Sequence, residues 1–148
     1  KADGTAPSDG KAAPRGPAAR SRRRRSVVFT SEFSGHRDAV FCAKWAAAGD
    51  RIASGSADGR VGVWNASTGE SVHLLEGHEA AVNAVEWKAD GGMLASGDAN
   101  GQLRLWTSDE GAAALVAARA HEGALLTLSS AGEGHLLSGG ADGRLRLW

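Results

Sequence analysis

Cysteine occurs once and proline three times in the 148 residues. A lone thiol excludes a disulfide framework, a four-thiolate zinc site and a redox Cys-x-x-Cys pair. Long apolar runs are also missing. The best, Ala112–Ala118, stops at Arg119, far short of the ~18 residues that a membrane-crossing helix needs. The opening residues Lys1-Ala2-Asp3-Gly4 are polar and hold no apolar signal core, so a cytoplasmic or nuclear chain is expected rather than a secreted one. No phosphate-binding loop is present, because the glycine-rich segments never lead into a helix or a Lys-Ser/Thr pair. Neither a cofactor nor a metal is expected. Glycine itself is plentiful at 21 residues. With no collagen triplet, these glycines mark tight turns.

Net charge is zero, but the two ends of the chain are opposite. Residues 1–26 carry 8 Lys+Arg and 2 Asp+Glu, a charge of +6, and residues 27–148 carry the remaining 9 and 15, a charge of −6. The first segment holds every proline and no aromatic residue. Such a stretch cannot bury enough apolar area to offset its ordering entropy, so 1–26 reads as a disordered basic tail. Within it Arg22, Arg23, Arg24 and Arg25 lie between Ser21 and Ser26. A short arginine run suits a solvated tail, a nuclear import signal or a nucleic-acid contact, since guanidinium pairs with phosphate. Phosphorylation of either flanking serine would weaken it.

From residue 27 onward the chain repeats. Trp64, Trp106 and Trp148 recur at 42 and 42 residues, and His36, His78 and His121 at 42 and 43. Ser54-Gly55-Ser56-Ala57-Asp58-Gly59 is echoed by Ser96-Gly97-Asp98-Ala99-Asn100-Gly101 and by Ser138-Gly139-Gly140-Ala141-Asp142-Gly143. Laid over one another, Gly35–Trp64 and Gly77–Trp106 agree at 13 of 30 positions, which chance does not produce at constant register. The copies span approximately 35–64, 77–106 and 120–148.

Each copy alternates apolar and polar residues at period two, the signature of strands. Val40 to Trp45, Arg51–Ser54, Val61–Trp64 and Val72–Leu75 form one set of four, and the Asp-Gly and Asn-Gly pairs supply hairpin turns with positive φ. The expected unit is therefore four short antiparallel strands. Cys42 falls in an apolar strand as a small core residue. His73 and His135 are lone histidines with no ligand partners in sequence, and the sequon Asn65-Ala66-Ser67 reads as a turn.

Gly-His at the start, Ser-Gly-x-x-Asp-Gly two-thirds through and a closing Trp at a period of ~42 residues resemble the WD-repeat family, whose copies build β-propeller blades. The resemblance covers 27–148. It departs from the family pattern where Asn65 or Thr107 follows the Trp, where Ala120 precedes His121, and where Ser129 and Ser130 stand in the place of Trp45 and Trp87. It implies an all-β propeller segment of about three four-stranded blades. The last lacks its outer strand, and Val27–Phe33 is an outer strand without a blade. Rings in this class have about 4–8 blades. The expected arrangement is thus an open or truncated ring, or two chains pairing into a six-bladed one.

The resemblance also assigns roles. His36, Ser54, Asp58 and Trp64 would form a buried hydrogen-bonded chain, as would His78, Ser96, Asn100 and Trp106, and His121, Ser138, Asp142 and Trp148. Such a chain satisfies groups that would otherwise cost ~1–3 kcal/mol apiece. A hydrolase triad from the same residues would need an exposed nucleophile beside an oxyanion hole, so no catalytic residue is expected. Asn100 in place of Asp gives up a charge-assisted bond and implies a weaker turn in the second copy.

By the same resemblance the partner-reading positions are Ala39, Phe41 and Ala57, then Ala81, Asn83 and Ala99, then Ala124, Leu126 and Ala141. Phe41, Asn83 and Leu126 are the distinctive side chains among them. Arg37, Asp38, Glu79 and Glu122 add a mostly acidic rim suited to basic peptides. The Trp-Asp-x-Arg signature of cullin-ligase docking is absent. The expected function is a non-catalytic scaffold binding protein or peptide partners, with no membrane. The alternative is a nucleic-acid-associated factor using the basic tail, and a hydrolytic propeller comes third.

Overall fold

The computed structural model describes residues 30–148, together with Gly4 and Gly10. The expectations for the basic tail, Arg22–Arg25 included, lie outside the described residues. Eleven strands and one short 3-10 turn at Gly132–Gly134 make up the described part, with no α-helix among the described residues.

Three antiparallel sheets follow one another along the chain. Blade 1 runs in the order β1 (Val40–Trp45), β2 (Arg51–Ser56), β3 (Val61–Asn65), β4 (Ser71–Leu75). Blade 2 repeats it with β5 (Val82–Trp87), β6 (Met93–Asp98), β7 (Leu103–Thr107) and β8 (Ala113–Ala117). Blade 3 has three strands, β9 (Leu125–Ala131), β10 (His135–Gly140) and β11 (Leu145–Leu147). The ring does not close. Thr30–Phe33, the described part of the expected orphan strand, forms no strand. An outer strand needs the open edge of a third strand: β3 is already paired with β4, and β11 of blade 3, whose outer edge is open, is paired only with β10. Phe33 instead stands over the Trp64 indole, ring centroids 6.2 Å apart.

The core sits between consecutive blades. Ala53, Val61 and Val63 of blade 1 share a buried cluster with Val82, Val85, Trp87 and Leu94 of blade 2. A second cluster joins Ala84, Ala95 and Leu103 of blade 2 to Leu125 and Leu128 of blade 3. Cys42 packs against the first of these, and burial pushes its thiol pKa up. Alternation explains the arrangement. One side chain in two faces the neighbouring sheet, and each buried Val or Leu contributes about 1.5–3 kcal/mol.

Two glycines matter to this stacking. Gly101, at φ +78°, turns the β6–β7 hairpin in the left-handed region that disfavours side chains, and a Cβ there would press on the carbonyl oxygens of His121 and Gly123 at the start of blade 3. Gly62 lies beneath the Trp64 indole so closely that a Cβ would meet the ring at 2.5 Å. Blade 2 has Arg104 at the matching position, and its guanidinium stands 5.7 Å from the Trp106 ring centroid.

The Asn65 sequon is a turn, because its Oδ1 accepts from the Ser67 and Thr68 amides. His73 Nε2–H donates to the Asp109 carbonyl, and among the described residues no His, Cys, Asp and Glu group could hold a metal. No helix of the described residues is long and apolar enough to cross a membrane.

Candidate functional site

Each blade carries one hydrogen-bonded chain tying its loop to its sheet. In blade 1, Trp64 Nε1–H donates to Ser54 Oγ at 2.8 Å, Ser54 lies 2.7 Å from His36 Nε2, and His36 Nδ1 lies 3.2 Å from Asp58 Oδ2. In blade 3, Trp148 Nε1–H donates to Ser138 Oγ at 2.9 Å, His121 Nε2 is 2.8 Å from that oxygen, and His121 Nδ1 is 2.9 Å from Asp142. In blade 2, Trp106 and His78 meet at Ser96 in the same way, at 2.8 and 2.7 Å.

The fourth member of blade 2 is a correction. His78 Nδ1 lies 2.8 Å from Asp98, and Asn100 takes no part through its side chain. Asn100 is exposed, contributing only its backbone N–H to Asp98 Oδ1, which also accepts from the Gln102 amide. The carboxylate has moved two residues back. Blade 1 has Ser56 at that place, with Ser56 Oγ accepting from the Asp58 amide and donating to the Asp38 carbonyl. One carboxylate per turn suffices because either position reaches the imidazole. The expected weakness of the second turn disappears with this exchange, since the His78–Asp98 contact is the shortest of the three and both side chains are 1% exposed.

In blade 2 the proton directions follow from chemistry. An indole nitrogen can only donate, so the serine oxygen accepts from Trp. A carboxylate only accepts, so His78 turns Nδ1–H toward Asp98, and the bare Nε2 of the neutral ring accepts the Ser96 proton. In blade 3 the Arg146 guanidinium also stands 2.8 Å from His121 Nδ1. Burial holds the His78 pKa below the usual imidazole value despite the Asp98 bond, in keeping with a neutral ring. Burial pulls the Asp58 carboxyl upward, but bonds from the Arg37 and Arg60 amides, His36 and Ser56 outweigh it and leave it below the usual carboxylate range. Asp142 is likewise held low, by His121, the Glu122 and Arg144 amides and Arg146, against the cost of burial.

These three serines are buried, and each hydroxyl bridges its tryptophan and its histidine. The arrangement fixes loops to sheets, and no buried side-chain polar atom among the described residues lacks a partner.

Above this framework, the first strand of each blade contains a bulge at one repeated place. The β1–β2 register shifts between Val40 and Cys42, the β5–β6 register between Val82 and Ala84, and the β10–β9 register between Gly139 and Gly140, which pair with Thr127 and Leu125. The extra residues are Phe41, Asn83 and Leu126. A bulge re-aims the side chain it carries, so one structural device governs all three. Phe41 is 54% exposed and Leu126 55%, while Asn83 is half-buried, its Nδ2–H donating to the Leu125 carbonyl across the blade boundary.

The alanines frame that row. Ala57 N–H donates to Ala39 O, Ala99 to Ala81 and Ala141 to Ala124, at 2.8–2.9 Å. These bonds close the end of each blade, where Phe41, with the equally exposed Val40 beside it, and Leu126 project as apolar side chains. Of the rim charges, Asp38 Oδ1 accepts from its neighbour's amide. Glu122 lies 3.9 Å from Arg144, both exposed. Sequence reasoning reached the bulged residues by family position. It missed Asp98 and Ser56 as members of the turn network, although the carboxylate of Ser96-Gly97-Asp98 was in plain view.

Comparison with known proteins agrees with this architecture. The chain is similar to a solved structure, that of the computationally designed Ika4 protein, at 27% identity and a TM-score of 0.70 over 78% of this chain and 69% of that one. No curated protein matches. The family model "WD domain, G-beta repeat" matches three times, at residues 27–65, 69–107 and 115–148. Those matches take in each Trp–Ser–His–carboxylate chain described above, and the chain belongs to the WD40 repeat family.

Proposed function

We propose that this protein is a non-catalytic adaptor that binds a peptide or protein partner through the row of bulged residues, Phe41 and Leu126 acting as apolar anchors. WD40 repeats serve protein–protein interaction, and the finer assignment rests on one observation. Three independent hairpins spend a bulge at the same place, and in two of them the residue thrown out is a large apolar side chain more than half exposed. An exposed aromatic beside an exposed valine is the composition of an interface anchor rather than of a solvated loop. Asn83 contributes through its carbonyl oxygen and second amide hydrogen, the first being committed to Leu125. The net charge of −6 over 27–148, with Asp38, Glu79 and Glu122 on the neighbouring loops, favours a basic partner and speeds its approach.

Affinity purification compared across variants tests this. Phe41→Ala is expected to lose the partners retained by the wild type, a weakening of about tenfold or more, which is the cost of truncating a binding hot spot of ~2 kcal/mol. Since Phe41 is exposed, the variant should melt at the wild-type temperature. An unchanged set of partners with Phe41→Ala and Leu126→Ala combined would remove the proposal.

A further inference from the structure

Ser130 lies opposite Leu136 in blade 3, as Trp87 lies opposite Leu94 in blade 2. The two residues occupy the same place in successive sheets, but one carries an indole and the other a hydroxymethyl group. Trp87 projects into blade 1. There its Nε1–H donates to the Lys44 carbonyl at 3.2 Å, and the ring shares a buried cluster with Ala53 and Val63. The corresponding wall of blade 2, 42 residues on, is Glu86, Ala95 and Leu105, and it is present and ordered in the same way. What is missing is the ring. Between that wall and Ser130 and Leu136 the structure leaves a mostly apolar cleft of about 150 Å³, with Met93 also on its lining. Ser130 Oγ–H reaches only the edge, donating to Glu86 Oε1 at 3.2 Å.

We propose that this cleft is a binding site for an indole ring. An apolar cavity of roughly this size accepts a small aromatic molecule. The choice of indole comes from the chain itself, because the equivalent slot one blade earlier is filled by one. The Glu86 carbonyl stands at the register position of the Lys44 carbonyl, so the ring nitrogen has a matching acceptor. Glu86 also carries a carboxylate paired with Lys44 Nζ at 3.3 Å, which gives the cleft a polar edge. The site is separate from the bulged row, and its failure would leave the reading of Phe41 and Leu126 untouched.

Met93 is the sole methionine of the chain, so ¹³C-methyl methionine labelling gives a single resonance reporting from inside the cleft. Titrating the full chain with indole, and separately with N-acetyltryptophanamide, is expected to shift that resonance saturably through the ring current. A response to both assigns the site to a tryptophan side chain of a partner. A response to indole alone assigns it to a free indole. Ser130→Trp should supply the missing ring internally, raise the melting temperature and weaken indole binding by about tenfold or more. A Met93 signal unmoved by either probe would overturn the proposal, and the wild-type titration decides this even if Ser130→Trp fails to fold. Undiminished binding by a folded Ser130→Trp would overturn it equally.

Discussion

Asp98→Ala is expected to lower unfolding stability by about 3–4 kcal/mol, while Asn100→Asp changes it by no more than about 0.5 kcal/mol. Asp98 accepts from the His78 ring, the Asn100 amide and the Gln102 amide. Its removal strands a ring nitrogen that is 1% exposed along with two turn donors. Each buried donor left without a partner costs about 1–3 kcal/mol, and the partly exposed turn amides recover some of theirs from water. Asn100 has no side-chain bond to lose. A carboxylate at 100 would come within reach of the same imidazole, but its one Nδ1–H is already held by Asp98, so no new bond is gained. Urea denaturation checks both variants, a lowered midpoint at unchanged slope being the sign of lost native stability. Against a total of about 5–15 kcal/mol for a domain of this size, the Asp98 effect is large.

Trp87→Ala is expected to cost about 3–5 kcal/mol, and Trp45→Ala within about 0.5 kcal/mol. The two residues hold the same position in successive repeats and differ only in what stands beside them. Trp87 is 3% exposed, wedged between blades 1 and 2, and its truncation opens a cavity and removes the donor to the Lys44 carbonyl. Trp45 is 62% exposed because blade 1 has no blade on its other side in this structure. Thermal unfolding of the two variants side by side measures the difference. Equal losses would mean that Trp45 is covered in solution and that the ring is not open.

The strands were legible in the sequence because period-two alternation and Asp-Gly or Asn-Gly turns are local signals. The first strand of blade 1, expected from Val40 to Trp45, has those limits, and the remaining ends move by only a residue or two. The recurrence of Trp, Ser and His was legible in the sequence, and their grouping into one hydrogen-bonded chain came from the resemblance to the WD-repeat family. The error at Asn100 has a physical origin. Repeat alignment equates residues by position, whereas an imidazole needs only a carboxylate within reach, and a tight turn brings residues two apart to the same ring. Bulges left no trace either. A bulge is a count of residues on one strand against those on its partner, so it exists only once the hairpin has paired. The strand expected at Val27–Phe33 failed over Thr30–Phe33 for a similar reason, because a strand is defined by a partner and not by its own composition. Nor could the exposure of Trp45 be read from residues that match those around Trp87.

One division of labour runs through the molecule. Indole, hydroxyl, imidazole and carboxylate groups fasten each loop to its sheet, the indole buried in blades 1 and 2 but 43% exposed at Trp148 in blade 3, so the bulged residues above them project from a rigid support. Were they the anchors proposed above, such preorganisation would lower the entropic cost of binding.

The protonation state of His78 tests that fastening most directly. Nitrogen-15 NMR of the imidazole at neutral pH is expected to show a neutral ring with the proton on Nδ1 and a bare Nε2, a midpoint of titration below the usual imidazole value, and no averaging between tautomers. An Nε2–H tautomer, or fast averaging between the two tautomers, would mean that no chain of hydrogen bonds runs from Trp106 to Asp98.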